Sequence, residues 1–363
     1  MNYIEKMLKF KKWNPTKKYL KDKVIQEFRE DYFLCSQGSP FLKEVESITK
    51  NPTFYGWEYG KIRIGAFDLH SLTKEQRQIW SSKKHWEKSF WAFLIQQFAK
   101  YCEHVEPVEI FWFPIDIKKS LEYAPHPFHP LVWNTGSCHR MSGEPCRIFV
   151  VRWQEAFKVL CHEVFHWLRL GSRVEMPALT NMWKQEKQWT SNGPLLLEEA
   201  WVETLASIWF PRWFKMYLGE TDNEEERMRL FAHQFHQLSG LCRQWWSSTS
   251  PQKHECLLTQ NPFDNDACRQ WFQDTNVYSY VFWKEKVWNN PIIIQFMKQD
   301  LNEQRKQLQQ ESTRIGLTIQ MMRLLEEPMP QDYSGRVEIR FLPQINQWID
   351  DESKLTESDI LLG

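Results

Sequence analysis

Residues 159–168 read Val-Leu-Cys-His-Glu-Val-Phe-His-Trp-Leu, and no other stretch restricts this chain so strongly. On an α-helix, residues four apart lie one above the other on one face, so the imidazoles of His162 and His166 can reach one metal ion. Glu163 follows His162 directly, close enough to contact a water held by that ion. Ala156, Phe157, Leu160, Val164, Phe165, Trp167 and Leu168 surround the histidines almost completely, which predicts a helix buried on most sides. Buried imidazoles need partners. With a third ligand this is a metal centre; without one it is a helix that carries two histidines.

The flanking segments give that helix a context. Val108–Phe113 is β-branched and aromatic, and Pro114 stops it, so it reads as a strand. Residues 124–145 read as a long Pro/His/Gly-rich loop. Cys146–Val151 reads as a second strand that runs into the helix, predicted over Gln154–Leu170 with Gly171 as its C-terminal cap. Residues 40–105 carry helix-like patterns, clearest over Thr73–Cys102. Downstream, a helix over Leu195–Trp209 should end before Pro211. Another starts near a Thr221-x-x-Glu224 capping box and runs to about Trp246. More helix is expected over 266–289, after a break at 247–265. Residues 291–327 read as one long helix with Ile294, Leu301, Leu308, Ile315 and Met322 seven apart, packed on the body. Val337–Phe341 is a short strand candidate, and the acidic tail from Asp350 reads as flexible.

Bulk composition excludes several classes. The chain has 363 residues, enough for a buried core, and 46 basic residues balance 46 acidic ones. Nothing global argues for nucleic acid as a partner. No run of 18 apolar residues is present, so no transmembrane segment is expected. The first residues lack the pattern of a secretory signal, and eight cysteines with no Cys-x-x-Cys pair do not form a disulfide framework. Those features together predict a cytoplasmic, reducing compartment. The lysine-rich segment 1–26 reads as a solvated arm. The 20 Trp, 24 Phe and 11 Tyr predict an aromatic core. The expected domain layout is a basic arm (1–40), an N-terminal lobe with a small sheet and the motif helix (41–170), a helical C-terminal lobe (171–345) and an acidic tail (346–363).

Catalytic zinc takes three protein ligands and leaves one position for water. Families that use His-Glu-x-x-His differ in the third. One group places a His shortly after the second histidine, but here Arg169-Leu170-Gly171-Ser172 follow and no His comes for many positions. The other takes a glutamate from a downstream helix, with an acid four residues later. Leu197-Glu198-Glu199-Ala200-Trp201-Val202-Glu203 offers that pair: Glu199 as third ligand, Glu203 accepting a hydrogen bond from a ligating imidazole. Glu198 competes, but it has no acid four residues on. For a developing oxyanion, Tyr278, Tyr280, His233 and His236 are candidate donors, and Tyr280 is the choice made here. The strand before the helix is the candidate for pairing with a substrate backbone. Cys138, His139 and Cys146, or His254 and Cys256, make a weaker case for a second metal site.

The order strand, His-Glu-x-x-His helix, Glu-x-x-x-acid helix over 146–209 resembles the glutamate-zincin metallopeptidases. The resemblance implies an α+β, predominantly α, zincin-like fold: a small sheet over an active-site helix, plus a helical C-terminal lobe. It implies Zn2+ held by His162, His166 and Glu199, Glu163 as general base, and a peptide or protein substrate. Val132-Trp133-Asn134-Thr135-Gly136, Arg152–Leu160 and Thr275-Asn276-Val277-Tyr278-Ser279-Tyr280 resemble metallopeptidase-like proteins of large double-stranded DNA viruses. That narrower resemblance implies a place in the virion and capsid proteins as partners. Two readings follow. One is a zinc metallopeptidase; the other is a structural or capsid-assembly protein that keeps a zincin fold without turnover.

Overall fold

The structure, a computed structural model, describes residues 10–31, 42–50, 52–70, 72–115, 135–151, 155–174, 176–186, 196–220, 223–249 and 279–326. Helices dominate it, beside one mixed sheet of six strands. The strands are β1 (Lys11–Trp13), β2 (Phe54–Tyr59), β3 (Ile62–Phe67), β4 (Val108–Phe113), β5 (Gly136–His139) and β6 (Cys146–Val151). Their spatial order is β1-β2-β3-β4-β6-β5. β3, β4 and β6 run parallel, and the remaining pairings are antiparallel. β4 and β6 are buried along their whole length, as continuous apolar runs in a parallel core require.

The chain divides into two compact units. The first gathers the described residues of 1–117, 135–168 and 213–220 and contains the sheet. Its parallel step from β3 to β4 is spanned by three helices, α1 (Lys74–Ser81), α2 (Lys83–Trp86) and α3 (Phe90–Ala99), where the sequence pattern predicts one. Serines end the run twice: the Ser89 hydroxyl accepts from the Ala92 N–H, and Ser82 takes extended backbone between α1 and α2. Aromatic rings fill this unit. Phe113 stacks on Phe28 at 4.0 Å and on Phe67 at 4.6 Å, and Trp80 meets Trp86, Trp91 and Trp112 edge-on.

Two expectations fail here. The hairpin β2–β3 lies where helix-like patterns are expected, turning through Gly60 at φ 58°. Residues 10–31 are not a solvated arm: β1 pairs with β2, and Phe10, Trp13, Leu20, Val24 and Phe28 are buried while the lysines face water. An ion network fastens this segment. Arg147 of β6, 1 % exposed, reaches Glu27 at 2.5 Å as well as Glu144, and Tyr19 donates to Glu109 of β4.

The second unit gathers the described residues of 169–212 and 223–326 and is helical. Most of helix Leu197–Leu218 lies in it, up to residue 212, with the rest in the first unit; the helix runs through Pro211 rather than stopping before it. A proline removes one backbone hydrogen bond inside a helix; burial of Trp213 and Phe214 beyond it outweighs that loss. Helix Glu224–Thr249 starts at Asn223, whose Oδ1 accepts from the Glu226 N–H; Thr221 lies outside the described residues. The long helix expected over 291–327 is three: Pro291–Met297, Leu301–Gln307 and Glu311–Glu326. Asp300 explains the first break, because its carboxylate caps the Asn302 N–H at 2.9 Å. The seven-residue stripe still faces inward, with Leu301 and Leu308 buried. The break at 247–265 lies almost wholly outside the described residues, as do 266–278, 337–341 and the tail.

Candidate metal centre

The motif helix, α4 in the first unit, spans Ala156–Trp167. Leu160, Cys161, Val164, Phe165 and Trp167 are fully buried, so apolar packing on several sides holds it. The Trp167 indole donates to the Glu106 carbonyl at 3.0 Å. The C-terminus is built differently from the expectation of a Gly171 cap. Arg169 takes the left-handed backbone (φ 57°), and Arg140 donates to the last carbonyls, His166 O and Trp167 O, while its Nε meets Glu106 at 2.9 Å. A cation on the carbonyl end of a helix complements its dipole.

His162 is buried and His166 half-buried, with their Nε2 atoms 3.1 Å apart and their rings at 61°. Two nitrogens this close share one proton or one cation. Zinc–nitrogen bonds of about 2.0–2.1 Å place two tetrahedral ligands about 3.3 Å apart, so the pair suits a metal. Glu199 sits in the first turn of helix Leu197–Leu218, half-buried, beside Leu197, Ala200 and Trp201, which are fully buried. The ligand atoms of His162, His166 and Glu199 all lie within 4.8 Å of one another. Two imidazoles and a carboxylate can hold a divalent ion. Among the described residues this is the one group of three or more His, Cys, Asp or Glu side chains so placed.

Glu163 is buried and lies against β5. A Cβ on Gly136 would stand 2.6 Å from Glu163 Oε1 and 2.4 Å from Val159 Cγ1. Only glycine lets this strand approach the helix so closely. β5 lies at one edge of the sheet, as β1 does at the other. β6, the strand expected to pair with a substrate, is flanked on both sides by β4 and β5 and so has no open edge.

The other candidates fall in different places. Glu203 Oε1 accepts from the buried Lys284 Nζ at 3.0 Å, a partner the sequence reading does not foresee. Glu198 lies against Gly171 and is not in the ligand group. Tyr280 is half-buried in a π-helical turn, Ser279–Trp283. That turn is tied to the start of the Glu199 helix, since Ser279 Oγ donates to the Leu196 carbonyl at 2.9 Å. His236 Nδ1 meets the fully buried Glu285 at 2.8 Å. The His233 side chain, Tyr278, His254 and Cys256 lie outside what is described. Cys138 and Cys146 stand 3.4 Å apart across β5 and β6. Their mutual contact, then burial, then the nearby charge of Glu163 push the Cys138 thiol up. His139 turns instead to Ser137 at 2.6 Å and makes no third ligand with them. Arg140 carries no sequence signal that marks it, and Gly136 enters the sequence reading only within the run 132–136, with no role of its own.

No family model, curated protein or solved structure matches this chain.

Proposed function

We propose that this protein is a zinc metallopeptidase, a hydrolase of the glutamate-zincin type, with His162, His166 and Glu199 as ligands. The convergence of those three side chains carries the reading. Zinc, when bound, supplies Lewis acidity and lowers the pKa of water from about 15.7 toward about 7. Glu163 takes a proton from the attacking water on its carboxylate and delivers it to the leaving amine nitrogen. Gly136 fixes where that carboxylate lies, and Arg140 holds the end of the helix that bears it. Tyr280 donates its hydroxyl to the developing oxyanion. An extended peptide would pair with β5, which lies at an edge among the described strands, rather than with β6. Glu203, paired with Lys284, supports the Glu199 helix one turn on. No described helix is long and apolar enough to cross a membrane. A cytoplasmic location belongs to this proposal on cysteine usage, and a virion location with capsid proteins as partners on the motif resemblance alone.

Zinc analysis paired with a peptide-library digest tests the reading, wild type against Glu163→Gln. Stoichiometric zinc with cleavage that the substitution abolishes supports it. Zinc without any Glu163-dependent cleavage favours the structural or assembly protein, and absence of zinc removes both.

A further inference from the structure

The strand pair β5–β6 brings two cysteines into sulfur contact. Its strands run antiparallel with Cys138 opposite Ile148, so Cys146 lies two residues along on the same face. The Sγ atoms stand 3.4 Å apart, and both are free thiols. They differ in access: Cys138 is half-buried on an edge strand, whereas Cys146 is 1 % exposed. The face they share is the one that meets the motif helix. Gly136, two residues before Cys138, is where a Cβ would stand 2.6 Å from Glu163 Oε1 and 2.4 Å from Val159 Cγ1. β5 therefore lies on the helix without slack, and the charge of Glu163 is felt at Cys138.

A disulfide holds its sulfurs about 2.0 Å apart and its Cα atoms about 4.4–6.8 Å apart. Diagonal neighbours across two antiparallel strands sit about 7–8 Å apart at Cα, so closing the bond moves a strand. β6 is gripped between β4 and β5 and buried along its length, while β5 has β6 as its one neighbour among the described strands. β5 is thus the strand that yields, and Glu163 loses the surface that fixes its carboxylate. We propose that Cys138 and Cys146 form a reversible disulfide that shifts β5 and switches the site off. The inference rests on the metallopeptidase reading and adds its regulation. The oxidant is a small disulfide of the glutathione class. The Cys138 thiolate attacks one of its sulfurs, breaks its S–S bond and releases one thiol. The Cys146 thiolate then attacks the Cys138 sulfur and releases the second. One disulfide forms and one breaks, two electrons pass to the reagent, and both cysteine protons end on the released thiols. Contact with Cys146, then burial, keep the Cys138 thiol protonated, so the exchange is slow and records a lasting change of redox surroundings.

The test incubates the full-length, zinc-loaded protein in glutathione buffers, from fully reduced to fully oxidised, until its thiol content is steady. Alkylation and peptide mass mapping should show the Cys138–Cys146 bridge in oxidised buffer. Peptide cleavage should fall about 10²-fold, the loss that misplacing a catalytic group by about 1 Å can cause. Zinc content should stay constant, and dithiothreitol should restore cleavage. Cys138→Ser and Cys146→Ala, made separately, should each keep their cleavage in oxidised buffer. Absence of the bridge, or a bridge that leaves cleavage unchanged, overturns the proposal. So does an oxidative loss that survives both substitutions. If neither redox state cleaves any peptide, the metallopeptidase reading fails and hydrogen exchange decides the switch. Faster exchange across residues 136–139 and 157–163 in the bridged protein would keep it, and unchanged exchange would remove it.

Discussion

Glu163 and Gly136 make the sharpest residue-scale claims. Glu163→Gln should lower peptide cleavage by about 10²–10⁴-fold while zinc content stays at the wild-type level, because a general base moves the proton and does not hold the ion. Gly136→Ala should also reduce cleavage with zinc retained, since the new methyl would displace the Glu163 carboxylate; unchanged turnover would show that its position against β5 is immaterial. The grouping of His162, His166 and Glu199 was legible because helical periodicity fixes which side chains share a face, and because Glu199 and Glu203, four apart on an otherwise mainly apolar helix, need a reason to be there. Arg140 and Gly136 were not. Each acts through tertiary approach: Arg140 on carbonyls 26 and 27 residues away, Gly136 on a helix that follows the next strand.

At the scale of elements, apolar runs located β4, β6 and the motif helix correctly, and local capping chemistry decided what periodicity could not. The pattern over 291–327 is continuous, yet Asp300 ends one helix and starts the next. Asp300→Ala should cost about 1 kcal/mol in chemical denaturation, the ordinary loss on removing an N-cap. The hairpin β2–β3 was missed because its aromatics resemble a buried helix face, and only the turn at Gly60 distinguishes the two. β1 was hidden by its lysines, which face water while Trp13 faces in. The contact that fastens the segment after β1 has a pH signature. Burial, then its bond to Glu109, raise the Tyr19 hydroxyl to about 12 from 10.0. The neutral phenol is thus favoured in the fold. Its stabilisation is complete below pH 10.0 and is lost as pH rises through about 12. Tyr19→Phe should flatten that alkaline decline in melting temperature; an unaltered decline would remove Tyr19 as its source.

For the whole molecule, pairings between distant segments matter most, and the sequence cannot show them. Lys284 and Glu203 are 81 residues apart and pair where water scarcely reaches. Lys284→Met leaves the carboxylate buried without its cation and should cost about 3–5 kcal/mol in denaturant unfolding. A metal held by His162, His166 and Glu199 would act at the same scale, since an ion that binds only the folded chain raises its stability by mass action. The most direct measurement is zinc content after exhaustive dialysis, for wild type, His162→Ala, His166→Ala and Glu199→Ala. Stoichiometric zinc in the wild type and its loss from all three variants is the predicted result. Zinc retained in full by Glu199→Ala would contradict the account, because the third ligand would then lie elsewhere.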